Sequence, residues 1–116
     1  MQLTEAAIVQ ALSLSQKALL TEANNLANAE TPGYQAERWS FRAALAQAIA
    51  MGPNAVLSVA GTPVPDPGAT QANGNTVSIT RSMTALAQDQ VYYDTAVAAW
   101  QHWQNGIKAV AEGKAL

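Results

Sequence analysis

Apolar residues recur at helical spacing in the first quarter of the chain. They are separated by four, seven and seven residues, and two polar residues occupy the remaining positions of the same stripe. The members of this stripe are Ile8, Leu12, Ser15, Leu19, Glu22 and Leu26. Because residues at these intervals lie on one face of an α-helix, the pattern predicts an amphipathic helix over residues 3–28.

A longer and more regular stripe occupies the last third of the chain. Its members alternate at intervals of four and three, which is the a/d pattern of a helix that packs in the manner of a coiled coil. They are Ile79, Met83, Leu86, Gln90, Tyr93, Val97, Trp100, Gln104, Ile107 and Ala111. Asn105-Gly106 could instead form a turn. Since Ile107 and Ala111 stay in register beyond it, we expect one continuous helix.

The second predicted helix is too long for a compact globule. A helix over 79–111 would span about 50 Å, whereas a compact domain of this length has a radius of gyration of about 13 Å. The first helix can cover only part of it, so we expect apolar residues of both stripes to form a seam that packs against other chains. This predicted assembly seam comprises Ile8, Leu12, Leu19, Leu26, Ile79, Met83, Leu86, Tyr93, Val97, Trp100 and Ile107.

The middle of the chain is broken, because all five prolines and five of the seven glycines fall between residues 32 and 74. Ser40 is placed to cap one short helix, which Met51-Gly52-Pro53 would end. The apolar face of that helix would comprise Phe41, Ala44, Leu45, Ala48 and Ile49. The stretch 61–74 has the composition of an exposed loop with almost nothing to bury.

These elements predict a single all-α domain. Its two long terminal helices pack as an antiparallel, coiled-coil-like hairpin, and an irregular middle carries one short helix and an extended strap. The expected parts are the N-terminal helix (1–30), a turn and strap (31–42), a short helix with a Pro/Gly-rich loop (43–74) and the C-terminal heptad helix (75–116).

Composition narrows the function classes. The 116 residues carry a net charge of −2, and the six basic residues, which include Lys114, are dispersed, so we expect no nucleic-acid partner. There is no cysteine, and His102 has no second ligand at helical spacing, so we expect no metal site. The acidic residues form no catalytic pair. We therefore expect no enzyme activity, no catalytic residues, no cofactor and no small-molecule substrate.

Two further expectations concern membranes and export. The longest apolar run, Ala96 to Trp100, has five residues, whereas a membrane span needs about 20. No Lys or Arg occurs among the first sixteen residues, so no cleavable signal peptide is recognisable.

One segment is more specific than these patterns. Asn25-Leu26-Ala27-Asn28 is followed by Thr31-Pro32-Gly33-Tyr34. Asparagine suits a helix end, and Pro-Gly suits the two central positions of a type II turn. The residues therefore predict a helix that stops sharply and reverses direction.

This string closely resembles the N-terminal signature of the flagellar rod, hook and hook-associated axial proteins. Asn73-Gly74-Asn75-Thr76-Val77, followed by a long helix, resembles the corresponding segment of proximal rod proteins in that family. The resemblance implies a structural subunit of the proximal rod that transmits torque from the membrane ring. It also implies export by the flagellar type III apparatus into the periplasm.

The implied partners are further copies of the chain, other rod proteins and the protein that joins the rod to the MS ring. The strap from Tyr34 to Phe41 would lie against a neighbouring subunit.

Two alternatives remain open at the level of sequence. A helical-hairpin secretion substrate or export adaptor, acting as a soluble dimer, would share the length and the seam. A small ligand-binding helical domain would use the aromatic residues of the second helix as a cage. Those residues are Tyr92, Tyr93, Trp100 and Trp103.

Overall fold

The computed structural model describes residues 1–113, and Lys114 with the end of the predicted C-terminal segment lies outside the described residues. The molecule is elongated, with dimensions of 64 × 25 × 14 Å. In chain order its elements are α1 (Leu3–Ala27), β1 (Glu37–Ser40), α2 (Arg42–Ile49), α3 (Pro53–Leu57), β2 (Thr62–Pro65) and α4 (Ile79–Ala111). The fold is mostly helical.

The two long helices form, as predicted, a hairpin in which they pack against each other. Residues near the start of α1 lie beside the end of α4, so the two helices run antiparallel. Continuous helix through Gly106 shows that the alternative turn at this position is wrong. α4 begins at a cap, because the Ser78 hydroxyl accepts a hydrogen bond from the Arg81 backbone N–H at 3.3 Å.

Small residues bring α1 and α4 together. Ala7 and Ala11 line one end of the contact opposite Ala96 and Ala99. Ser15 is fully buried in the same stripe of α1. Each of the four alanines lies one residue before a position of the predicted seam, and Ser15 is a polar member of the predicted stripe of α1. The contact between α1 and α4 therefore lies beside the large apolar residues of the seam.

The middle of the chain covers one side of this hairpin. On α1 its polar contacts come from residues one position before the interface: the Gln10 amide donates to the Val59 carbonyl at 2.7 Å, and the Lys17 ammonium lies 4.0 Å from the Trp39 ring centroid. A small core lies between these layers. It comprises Ala6, Leu14, Ala18, Phe41, Leu45, Ala48 and Val56.

The short helices differ from the sequence-based expectation. The predicted Ser40 cap is wrong, because Ser40 ends β1 and no side chain caps α2, which follows Phe41. Of the predicted apolar face, Phe41, Leu45 and Ala48 are buried, whereas Ala44 and Ile49 are exposed. Met51-Gly52-Pro53 does end α2, but Pro53 then starts α3, which was not predicted.

A two-stranded antiparallel sheet makes the strictly all-α prediction wrong. β1 lies in the predicted strap, and β2 lies in the stretch predicted to be an exposed loop. The Asp66 backbone N–H donates to the Ala36 carbonyl at 2.9 Å. In this register the backbone N–H groups of the even-numbered residues of β2 point toward β1. Pro63 and Pro65 therefore occupy positions that need no ladder donor. The strap thus pairs within its own chain.

A buried carboxyl lies in the interface between α1 and α4. Glu22 is 2% exposed, its carboxylate accepts a hydrogen bond from the Asn25 amide at 3.2 Å, and Ser82 of α4 lies nearby. Burial raises the pKa of Glu22, and the polar contacts with Asn25 and Ser82 oppose this shift only in part. Folding therefore increases the proton affinity of this group.

We predict that Glu22→Gln stabilises the protein at pH 7, because an amide keeps the hydrogen bonds without a buried charge. In the wild type the free energy of unfolding should rise as pH falls through the raised pKa of Glu22, since the folded state binds the proton more tightly. The variant should lose part of this rise. Urea unfolding between pH 4 and pH 8 measures both effects.

The matched control is Glu30→Gln, because Glu30 is exposed. It should leave stability at pH 7 almost unchanged. A Glu22→Gln variant less stable than the wild type at pH 7 would contradict the assignment of a destabilising buried charge.

Candidate assembly site

The chain reverses direction after α1 in a tight turn. The Tyr34 backbone N–H donates to the Thr31 carbonyl at 3.2 Å, and Gly33 has a φ of 73°. With Pro32 at the second position, these are the features of the predicted type II turn. A Cβ at residue 33 would meet no atom within 4 Å, so lack of space does not exclude other residues. The positive φ is what favours glycine at this position.

Asn75 ties this turn to the segment that leads into α4. Its side chain is fully buried, and its amide donates to the carbonyls of Asn28 and Thr31 at 2.8 Å each. The Gly33 backbone N–H also donates to the Asn73 carbonyl at 2.9 Å. The two segments that carry the family resemblance are therefore in direct contact.

Asn25 attaches the strap to α1. Its side-chain amide donates to the Glu37 carbonyl at 2.6 Å, and its carbonyl oxygen accepts from the Glu37 backbone N–H at 3.1 Å. Asn24 donates to the Tyr34 hydroxyl at 2.9 Å. Asn25 is 1% exposed, so this paired contact satisfies the hydrogen-bonding groups of a buried side-chain amide.

The remaining motif residues divide into two groups. Asn28 accepts a hydrogen bond from the Thr31 hydroxyl at 3.1 Å, so both polar residues stabilise the turn itself. Leu26 is half-buried, whereas Ala27 and Pro32 are exposed. The polar residues of the motif therefore stabilise the fold of their own chain, and Ala27 and Pro32 are available for contacts with other molecules. The sequence-based site omitted Asn75, although it lies in the second segment of the resemblance.

Most of the predicted seam of both helices lies on one side of the hairpin. Successive residues of an α-helix turn by about 100°, so in an antiparallel pair the residues that follow interface positions turn to the same side in both helices. Leu12, Leu19 and Leu26 of α1 follow Ala11, Ala18 and Asn25. On α4 the corresponding residues are Met83, Leu86, Tyr93, Val97 and Trp100.

We call this surface the open face, and define it by Leu12, Leu19, Leu26, Ile79, Met83, Leu86, Tyr93, Val97, Trp100 and Ile107. The middle segment contacts the opposite side of the hairpin, through Gln10 and Lys17 on α1 as described above. On α4 the Arg81 guanidinium donates to the Pro67 carbonyl at 2.6 Å. Ile79, Met83 and Ile107 are 55%, 58% and 54% exposed, and the other members are half-buried. Ile8, the remaining seam residue, reaches a groove beside Leu45.

Charged groups join the middle segment to α4. Arg42 pairs with Asp89 at 2.8 Å and lies 4.6 Å from the Tyr92 ring centroid, and Arg81 pairs with Asp66. Burial raises the pKa of Asp89, and Arg42 opposes that shift. These acids each contact an arginine, and no group of three or more potential metal ligands occurs within residues 1–113.

The aromatic residues of α4 do not form one cage. Tyr92 packs edge-on against Phe41, with ring centroids 5.6 Å apart, and Tyr93 lies on the open face. Trp100 and Trp103 line a cleft of about 570 Å³ at the end of the hairpin where α1 begins. His102 is exposed.

Comparison with known proteins supports the family resemblance over part of the chain. Residues 8–35 match the family model described as flagella basal body rod protein. This match covers most of α1 and the turn that follows it. A search of curated proteins found no match. Among residues 1–113, no helix is long and apolar enough to cross a membrane. The family match supports a structural role in the rod of the flagellar basal body.

We predict that the positive φ of residue 33 alone determines which side chains this position tolerates. Gly33→Val should lower the free energy of unfolding by about 1–2 kcal/mol, because a β-branched residue disfavours positive φ. Gly33→Asn should cost less, because asparagine tolerates that region. Chemical denaturation of the two variants beside the wild type measures the difference. Equal losses for Val and Asn would contradict this reading of the turn.

Proposed function

We propose that this protein is a structural subunit of the proximal flagellar rod and that it assembles through its open face. The observation that carries the proposal is the position of the predicted seam. Large apolar residues of both terminal helices lie on one side of the hairpin, and three of them are more than half exposed. The family match to residues 8–35 supports the broader part of this proposal, a structural role in the flagellar rod.

The open face suits packing between helices of neighbouring subunits. Along α4 its members recur with a period of 3.5 residues, so a partner helix can follow them over several turns. None of its defining residues is charged. Burial of these side chains in an assembly would contribute about 25 cal/mol for each Å² of apolar surface removed from water. We infer that assembly completes the core that the single chain leaves half covered.

The finer assignment follows from the resemblance of the segment before α4 to proximal rod proteins such as FlgB. In that role the chain would pack against copies of itself, other rod proteins and the junction protein of the MS ring. It would reach the periplasm through the flagellar type III export apparatus and would transmit torque from the membrane ring. The subunit would act mechanically, through rigid helices.

The test compares two exposed methionines. Met83 lies on the open face and is 58% exposed, whereas Met51 lies between α2 and α3 and is 78% exposed. Met83→Glu should leave the isolated chain folded but abolish incorporation into basal bodies and swimming, because assembly would bury an unpaired charge. Met51→Glu is the matched control and should swim like the wild type. Circular dichroism of the purified variants and their export levels serve as controls for folding and secretion.

Normal swimming with Met83→Glu, or equal defects in both variants, would contradict assembly through the open face. A stable dimer of the purified wild type, without incorporation into basal bodies, would instead favour the export-adaptor alternative.

A further inference from the structure

The two ends of the hairpin have different shapes. Glu22 of α1 lies opposite Ser82 of α4, so α1 ends slightly beyond the start of α4. At the other end α4, with 33 residues, continues past the start of α1, with 25 residues. This overhang is on the order of 10 Å at 1.5 Å per residue. At one end of the hairpin, the turn after α1 projects beyond the start of α4. At the other end, α4 projects beyond the start of α1 and leaves a recess in line with the axis of α1.

The recess is the aromatic cleft of about 570 Å³. Trp100 and Trp103 are half-buried in it, and Ile107 is 54% exposed at its side. Lys108 lines its α4 side, and Glu5 lines the side formed by α1. A cleft with two indole rings and an exposed cation fits a short segment that presents one apolar side chain and one acidic side chain. Aromatic-lined grooves of this kind are common docking sites for proline.

The turn after α1 offers such a segment. Glu30, Thr31, Pro32 and Gly33 are all exposed. Their backbone is held by the hydrogen bond from the Asn75 amide to the Thr31 carbonyl and by the bond from the Gly33 N–H to the Asn73 carbonyl. A segment that is already held in one conformation loses little entropy when it binds. Its acidic residue, Glu30, has the opposite charge to Lys108.

We propose that the Glu30–Gly33 turn of one copy docks into the tryptophan cleft of the next copy. Pro32 packs against Trp100 and Trp103, and Glu30 lies near Lys108. The contact joins unlike surfaces, so each copy keeps one free end and the subunits add in an open line. This inference rests on the proposed function. It assigns Trp100 and Ile107, at one end of the open face, to an end-to-end contact and leaves the rest of that face to the lateral contact.

Disulfide trapping tests the contact in the purified full chain, which has no cysteine of its own. One protein carries Thr31→Cys and Asn105→Cys, at the turn and at the cleft. These positions lie at opposite ends of the hairpin, and α1 alone spans about 37 Å. A disulfide needs Cα atoms within about 7 Å, so only bonds between chains can form. A protein with Asn54→Cys and Asn105→Cys sets the rate for random collisions, because Asn54 is exposed on α3.

We expect a ladder of dimers, trimers and longer species at least ten-fold faster with the Thr31/Asn105 pair than with the Asn54/Asn105 pair. Pro32→Ser in the first protein should reduce its rate to that of the control, while circular dichroism shows the same helix content. Equal rates for the two cysteine pairs would overturn the inference, and so would a ladder that Pro32→Ser leaves unchanged.

The outcome is independent of the test of the proposed function. Absence of the ladder, together with loss of swimming in Met83→Glu, would remove the end-to-end contact and leave assembly through the open face intact. A ladder together with normal swimming in Met83→Glu would remove assembly through the open face and leave the end-to-end contact intact.

Discussion

The close packing of α1 against α4 through small side chains determines how the other surfaces are arranged. Alanine, serine and the buried Glu22 occupy the line of contact, and the large apolar residues lie beside it. Because the helices run antiparallel, these residues turn to the same side in both helices. The middle segment covers the other side and packs Phe41, Leu45 and Val56 against α1. The result is a two-layer molecule with one apolar face that the described part of the chain leaves partly uncovered.

The asparagine contacts hold this arrangement at one end. Asn25 bonds to the peptide group of Glu37, and Asn75 bonds to two carbonyls of the turn after α1. Buried amides of this kind are directional, so they define the path of the chain more narrowly than apolar packing does. They connect the end of α1, the strap and the start of α4 in one network. The motif that resembles those of the axial proteins therefore stabilises the fold of its own chain.

The periodicity of the sequence was sufficient to predict both long helices and their antiparallel packing. It did not predict which side of each helix forms the contact, because alanine and serine carry little weight in a hydrophobic pattern. Large residues such as Leu19 and Met83 dominated the pattern, and they flank the contact instead. The turn at Pro32-Gly33 was predictable because its residues have strong local preferences.

The sheet and α3 were not predictable by the same reasoning. Pro63 and Pro65 led to the prediction of a loop. Because they are two residues apart, neither stands where β2 must donate a backbone hydrogen bond to β1, so the strand can form. The sequence indicated Asn75 only as part of the segment that resembles proximal rod proteins, and not as a residue with contacts of its own. Its partners lie 44 and 47 residues earlier in the chain, so no local pattern could identify them.

The central claim is that the shared side of α1 and α4 becomes buried on assembly. Single cysteines along α4 test it most directly, through their rates of alkylation in the free chain and in isolated basal bodies. Cysteines at Ile79 and Met83 should become at least ten-fold less reactive on assembly, whereas those at Thr84, Val91 and His102 should lose less. A larger loss at Thr84, Val91 and His102, with Ile79 and Met83 still reactive, would contradict the account.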